Sequence, residues 1–136
     1  MSKQKQVPSG SPIRVVELRP GTSGHMVIVK VVNVKAVQQR GRSDIPQQRQ
    51  MKLAECIVGD DTGVIIFVAR NEQVELMQEG TTLVLHNAKI DMFRGSMRLA
   101  VDKWAGSIEV SEPATFSVKE DNNLSLIEFE SIVVEE

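Results

Sequence analysis

The sequence predicts an all-β fold, a small closed barrel of five strands with one short helix, and three observations carry that expectation. Val58–Gly63, reading VGDDTG, lies between two apolar segments and has the composition of a tight turn joining two strands. Phe93–Ser96, reading FRGS, interrupts a second alternating pair further on. Met26–Gln38 is a long run dominated by β-branched residues, as a first strand requires.

The elements follow in order. Met1–Pro12 is Ser, Gln, Lys, Pro and Gly with almost nothing apolar, and reads as a disordered lead-in covering residues 1–12. Ile13–Leu18 is a short segment stopped by Arg19-Pro20-Gly21, where Pro fixes φ and Gly supplies a positive one. After the first strand, Arg40–Gln50 (RGRSDIPQQRQ) has no period and is expected to be an exposed loop. A second strand, Met51–Val58, pairs through Gly59–Gly63 with a third, Val64–Arg70. In the turn, Asp60 and Asp61 are expected to cap free amides. Asn71 is the expected N-cap of a helix over Glu72–Gln78, with Val74 and Met77 on its apolar side and Gly80 as its stop. Strand four, Thr82–Met92, and strand five, Met97–Trp104, flank the FRGS turn, with Ile108–Val110 as a continuation after Ala105-Gly106. Residues 111–136 are acidic yet hold apolar stretches at Phe116–Val118 and Leu124–Val134, so one added strand or helix is expected to pack on the barrel.

Composition narrows the function. A chain of 136 residues suffices for one domain. The single Cys56 excludes an internal disulfide, no apolar run approaches the roughly 18 residues of a membrane span, and Met1–Gly10 lacks the apolar core of a signal peptide. A nuclear or cytoplasmic protein is expected. Residues 1–110 carry 15 Lys or Arg against 11 Asp or Glu, whereas 111–136 carry one Lys against seven acids. A basic body with an acidic tail fits a nucleic-acid-binding core, although an acidic terminus also serves plain solvation. No Ser/His/Asp set, GxxxxGK loop or carboxylate pair presents itself, no further ligand stands near Asp60 and Asp61, and His25 and His86 are far apart. No enzyme activity, metal or cofactor is expected.

The order β-β-β-α-β-β is that of the five-stranded OB barrel. Leu18-Arg-Pro-Gly21, VGDDTG, Gly80 after the helix, and Phe93-Arg-Gly-Ser-Met-Arg-Leu99 occur in this order and near these spacings in small single-OB-fold single-stranded-DNA-binding proteins. From about Ile13 to Val110 the chain resembles that family, including its archaeal members and the OB subunit of the human sensor-of-single-stranded-DNA complex. The whole chain, with Asn122–Phe129 (NNLSLIEF), is similar to a group of small plant OB-fold proteins. The resemblance implies an OB domain over 13–110, followed by the acidic extension 111–136, that binds single-stranded DNA or RNA with low sequence specificity. It also leaves open an OB module docking a protein within a larger complex.

Phe93-Arg94-Gly95 sits where an OB barrel overhangs its groove, so Phe93 either stacks a base or closes the barrel end, and Arg94 pairs with phosphate. In strand five Met97, Leu99 and Val101 read as core, with Arg98, Ala100, Asp102 and Trp104 outward. Trp104 either stacks a base at the groove's far end or covers the core. In strand four Leu83 and Leu85 face in, a slip near Asn87-Ala88 restores Ile90 and Met92 to the core, and Lys89 points to the groove. Aligning the shared turns with the family places Phe93 on a groove aromatic, while Arg70, Lys89 and Ala100 occupy its other aromatic positions. Arg70 is expected to stack through its guanidinium plane. Lys30, Lys35, Arg40, Arg42, Arg70, Lys89, Arg94 and Arg98 form the expected phosphate-binding set, with Arg49 and Lys52 nearby. Strand three is unusual because Val64, Ile66 and Val68 lie opposite the core residues Ile65, Phe67 and Ala69. That aliphatic face is covered either by the C-terminal segment or by another chain, through protein docking or self-association.

Overall fold

Alternation of apolar and polar residues sets which side of each strand is buried. The structure, a computed structural model, describes residues 11–40 and 51–130. In β1 (His25–Arg40), Val27, Val29 and Val31 are buried while Ile28, Lys30 and Val32 are only partly so. In β2 (Met51–Asp60) Ala54, Cys56 and Val58 face the core, and in β3 (Gly63–Arg70) Ile65, Phe67 and Ala69 meet them. β4 spans Thr82–Phe93, β5 Ser96–Ala100 and β6 Ser107–Ser111. The predicted lead-in through Gly10, and the predicted loop beyond Arg40, lie outside the described residues.

The 16 residues of β1 serve two neighbours: His25–Lys30 pair with β4, and Lys30–Arg40 pair with β2. Irregularities between Val31 and Asn33 and between Val34 and Ala36 bend the strand between them. The pairings run β1-β2-β3-β5-β4 and return to β1, a five-strand ring with the OB arrangement. Its thinnest join is β3–β5, a parallel contact of only Ile66 with Arg98 and Phe67 with Leu99. β6 pairs with β4 at Thr82–His86, in line with β5, as a continuation of that edge.

The β2–β3 turn is more than a link. Asp60, 2% exposed, accepts from Thr62 N and Oγ1 through Oδ1 and from Val15 N through Oδ2, holding the 3-10 turn Val15–Glu17 against the barrel. Among the described residues Asp61 caps no amide; it pairs with Arg14. Gly59 packs so closely that a Cβ would sit 2.4 Å from Gly63 O and 2.9 Å from Val64 Cα. Gly59→Ala is therefore expected to cost about 1–3 kcal/mol of stability. A thermal melt reads this, and an unchanged midpoint would show that the turn can move aside.

Four expectations need correction. The helix is a 3-10 stretch, Asn71–Leu76, and Asn71 is its first residue rather than its cap. Its φ of 57° takes it out of the helical region, and its Oδ1 accepts from Lys52 N across the sheet instead. The apolar side survives, with Met77 buried and Val74 and Leu76 packed on the core. Strand five ends at Ala100, because the Asp102 carbonyl accepts from Ala105 N and Gly106 N and turns the chain. The slip in β4 occurs at Asn87 (φ 58°), after which Ala88 and Ile90 are buried, but Met92 is 40% exposed. By then β4 has passed the end of its β1 pairing and is held by β5.

Residues 112–130 form neither a strand nor a long helix. They run as a strap, with one 3-10 turn at Leu124–Leu126. Lys119 N donates to Asp60 O, Val64 N to Asn122 O, and Phe129 N to Gly95 O. Leu124 joins the core, and Ser125 lies over the thin β3–β5 join. Val64 and Ile66 are buried, the strap lying along the N-terminal part of β3. Those two residues offer no free surface for docking or self-association.

Candidate nucleic-acid interface

The strap stops short of the C-terminal half of β3, and that part of the outer face stays open. Register places Leu53 beside Arg70, Glu55 beside Val68, Asp91 beside Arg98 and Lys89 beside Ala100. Side chains of one parity on β2, β3, β4 and β5 thus share one surface.

Two depressions mark this surface, and Arg70 borders both. One, of about 270 Å³, is lined by Arg70, Gln73, Lys89, Lys103 and Trp104 among others. The second, of about 250 Å³, is lined by Leu53, Glu55, Val68, Arg70, Asp91, Met92, Phe93 and Arg98. Each holds one aromatic ring, the first with three cations and the second with two.

Phe93 ends β4 and is 52% exposed. The two-residue turn after it has φ 52° at Arg94 and 82° at Gly95, both positive, as a type I′ hairpin needs. Glycine at 95 also admits the strap, since a Cβ there would lie 2.6 Å from Phe129 O. The guanidinium carbons of Arg94 and Arg98 lie 5.2 and 5.4 Å from the Phe93 ring centroid. Arg98 donates to Ser96 Oγ, which itself donates to Ser125 O, so the strap steadies the arginine beside the ring.

At the other end Trp104 is 86% exposed and covers no core. It sits in the turn after β5, its backbone N–H donating to Asp102 Oδ1, with Lys103 Nζ 4.9 Å from its ring centroid. Between the rings, Gln73 accepts from Arg70 N and donates to Val101 O, tying the end of β3 to the chain after β5. Ala100, expected to face outward, is buried, a one-carbon side chain sitting below Lys89 and Arg98 on the same surface.

Of the predicted site residues, Arg70, Lys89, Phe93, Arg94, Arg98 and Trp104 come together. Lys30 does not. Its Nζ donates to Phe116 O and lies 5.7 Å from the Phe116 ring, engaged by the strap away from both depressions. Lys35 is exposed on β1 at the second irregularity and lines neither depression. Arg40 ends β1, and Arg42 lies outside the described residues. Sequence reasoning passed over Lys103, Gln73, Glu55 and Asp91. The two acids were legible, since Glu55 stands between core-facing Ala54 and Cys56 and Asp91 follows core-facing Ile90 in an alternating strand.

The acids matter because they temper the charge. Asp91 pairs with Lys89 at 3.7 Å, and Glu55, Glu72 and Asp102 also border the depressions. Elsewhere, burial with Glu55 as a second cause raises the Cys56 thiol to about 11, which makes it a core residue rather than a nucleophile. His25 is lowered by burial, with Nε2 2.8 Å from Thr22 Oγ1. Among the described residues no three His, Cys, Asp or Glu side chains gather as a metal site would need.

Residues 18–110 match the family model for Ssb-like single-stranded-DNA-binding proteins with an OB fold. An uncharacterised Arabidopsis thaliana protein is 49% identical over 128 residues, covering 90% of this chain and 83% of its own length. The solution structure of a hypothetical Arabidopsis thaliana protein superposes with TM-score 0.74 at 44% identity, over 100% of this chain and 99% of that one. A domain of replication protein A from Methanococcus maripaludis gives 0.57 at 20% identity, over 76% and 98%. A replication protein A heterotrimer bound to single-stranded DNA gives 0.58 at 18% identity, over 79% of this chain and 26% of that one. The last two likenesses are likenesses of fold.

Proposed function

The chain belongs to the Ssb-like single-stranded-DNA-binding family of OB-fold proteins, and from that premise we propose that it is a non-enzymatic binder of single-stranded DNA or RNA. The observation that carries the proposal is the pair of aromatic rings, each flanked by cations, on one open surface and joined at Arg70. Bases stack on Phe93 and Trp104, an interaction available to every base because each has a π-face. Arg70, Arg94 and Lys103 neutralise phosphates, with Lys89 shared between phosphate and Asp91.

Titration of fluorescently labelled single-stranded and duplex oligonucleotides at two salt concentrations tests the reading. Three or four phosphate contacts correspond to a slope of log affinity on log salt of about −2 to −3 for single strands. Lys30→Ala is expected to leave affinity unchanged, because that side chain is engaged with Phe116. No binding to single strands at low salt, or equal preference for duplex, would sink the proposal.

A second reading, an OB module docking another protein, draws support from Leu126, Ile127 and Phe129, three exposed apolar side chains on the strap. It predicts associations that survive Phe93→Ala and are lost on replacing Ile127 and Phe129 with polar residues.

A further inference from the structure

The two carboxylates in the Phe93 depression bear on which base it accepts. Asp91 is the cross-strand neighbour of Arg98, and Glu55 projects from β2 beside Val68. A carboxylate repels a phosphate chain, so a depression serving phosphates alone has no use for either. Neither is neutralised within it. The Arg98 guanidinium is engaged by Ser96 and the Phe93 ring and forms no ion pair with Asp91. The Lys89–Asp91 pair is long and solvent-exposed, a weak attachment. Glu55 forms no ion pair with a described residue.

An aromatic platform bordered by a carboxylate and a guanidinium is a device for reading a base edge. The carboxylate accepts two hydrogen bonds from adjacent donors, and the guanidinium donates to adjacent acceptors. Thymine and uracil offer one ring N–H between two carbonyls, and adenine and cytosine offer one exocyclic amine. Guanine alone presents N1–H and the N2 amine side by side, with O6 next to them and N7 beyond. Resting on the single-strand reading above, we propose that the Phe93 depression is a guanine-selective subsite. The base stacks on Phe93, Asp91 accepts from N1–H and N2, Arg98 donates to O6, and Glu55 strengthens the preference for a donor edge. The Trp104 end, with Lys103 and Arg70, takes a neighbouring nucleotide without such discrimination.

The test uses the full chain and fluorescence anisotropy with strands of about a dozen nucleotides, within the site size of one OB fold. The strands are oligo-dT, oligo-dT with two isolated guanines, and the same strand with inosine or cytosine at those places. The guanine strand is expected to bind roughly tenfold tighter than oligo-dT, the size of one good bidentate contact. Inosine, which lacks only the N2 amine, loses most of that gain. Asp91→Asn is expected to bring the guanine strand close to oligo-dT while oligo-dT itself binds slightly tighter, one repulsive charge having been removed. Equal affinities for guanine and thymine strands, a preference that cytosine reproduces, or one that persists in both Asp91→Asn and Glu55→Gln would overturn the subsite. If no strand binds at all, the single-strand reading itself fails, whereas uniform binding removes only the guanine preference.

Discussion

Phe93→Ala is expected to weaken binding of a single-stranded oligonucleotide by roughly 5- to 150-fold, the equivalent of about 1–3 kcal/mol for one lost stacking platform. Half of the ring is already in water, so little of its apolar area stabilises the fold. Its neighbours in the turn are fixed by other means: Gly95 O accepts from Phe129 N, and Arg98 is held by Ser96. The melting temperature is therefore expected to stay within a degree or two of the parent. The reverse pattern, a lowered melting temperature with affinity intact, would show that the ring closes the barrel end instead. Phe93→Trp should restore or exceed the parent affinity, because a larger π-face stacks at least as well, and only a stacking role predicts that rescue.

Much of the fold was legible because two-residue periodicity decides inside from outside, and it did so correctly for Ala54, Cys56 and Val58, for Ile65, Phe67 and Ala69, and for Ile90 beyond the slip at Asn87. It cannot say which part of the outside a residue meets. Lys30 and Arg70 are both surface-facing strand residues, yet one lies under Phe116 and the other between the two depressions. The difference is set by where each strand lies around the ring and by the irregularities in β1, which depend on long-range pairing. Trp104 was misjudged as a member of strand five for a related reason. Alternation continues through Val101 and Asp102, but the Asp102 carbonyl captures two amides and swings the indole into solvent. Asp91 and Glu55 had the right parity and were passed over because a phosphate-binding groove gives no reason to seek acids; the register with Arg98 and Val68 supplied that reason.

Ser125→Ala is expected to be the most destabilising of these substitutions, by about 2–4 kcal/mol, although it removes a single oxygen. The Ser125 hydroxyl accepts from Ile66 N at 2.9 Å and donates to Met97 O at 2.6 Å, bridging β3 and β5 next to their short direct pairing. Ile66, Met97 and Ser125 are all buried, so deleting the oxygen strands the Ile66 N–H away from water, at about 1–3 kcal/mol, and leaves Met97 O with only the longer 3.3 Å bond from Arg98 Nη1, at about 1 kcal/mol more. Against a total stability of about 5–15 kcal/mol, that lowers the urea midpoint and the melting temperature substantially. Leu126→Ala, one residue on and 76% exposed, is the control expected to change little. A Ser125→Ala midpoint equal to the parent's would mean that the β3–β5 seam closes without the strap. Because Ser125 O also accepts from Ser96 Oγ, the hydroxyl that holds Arg98, loosening this join should disturb the arginine beside Phe93. Some loss of oligonucleotide affinity should then accompany the loss of stability, smaller than that of Phe93→Ala because the stacking ring remains.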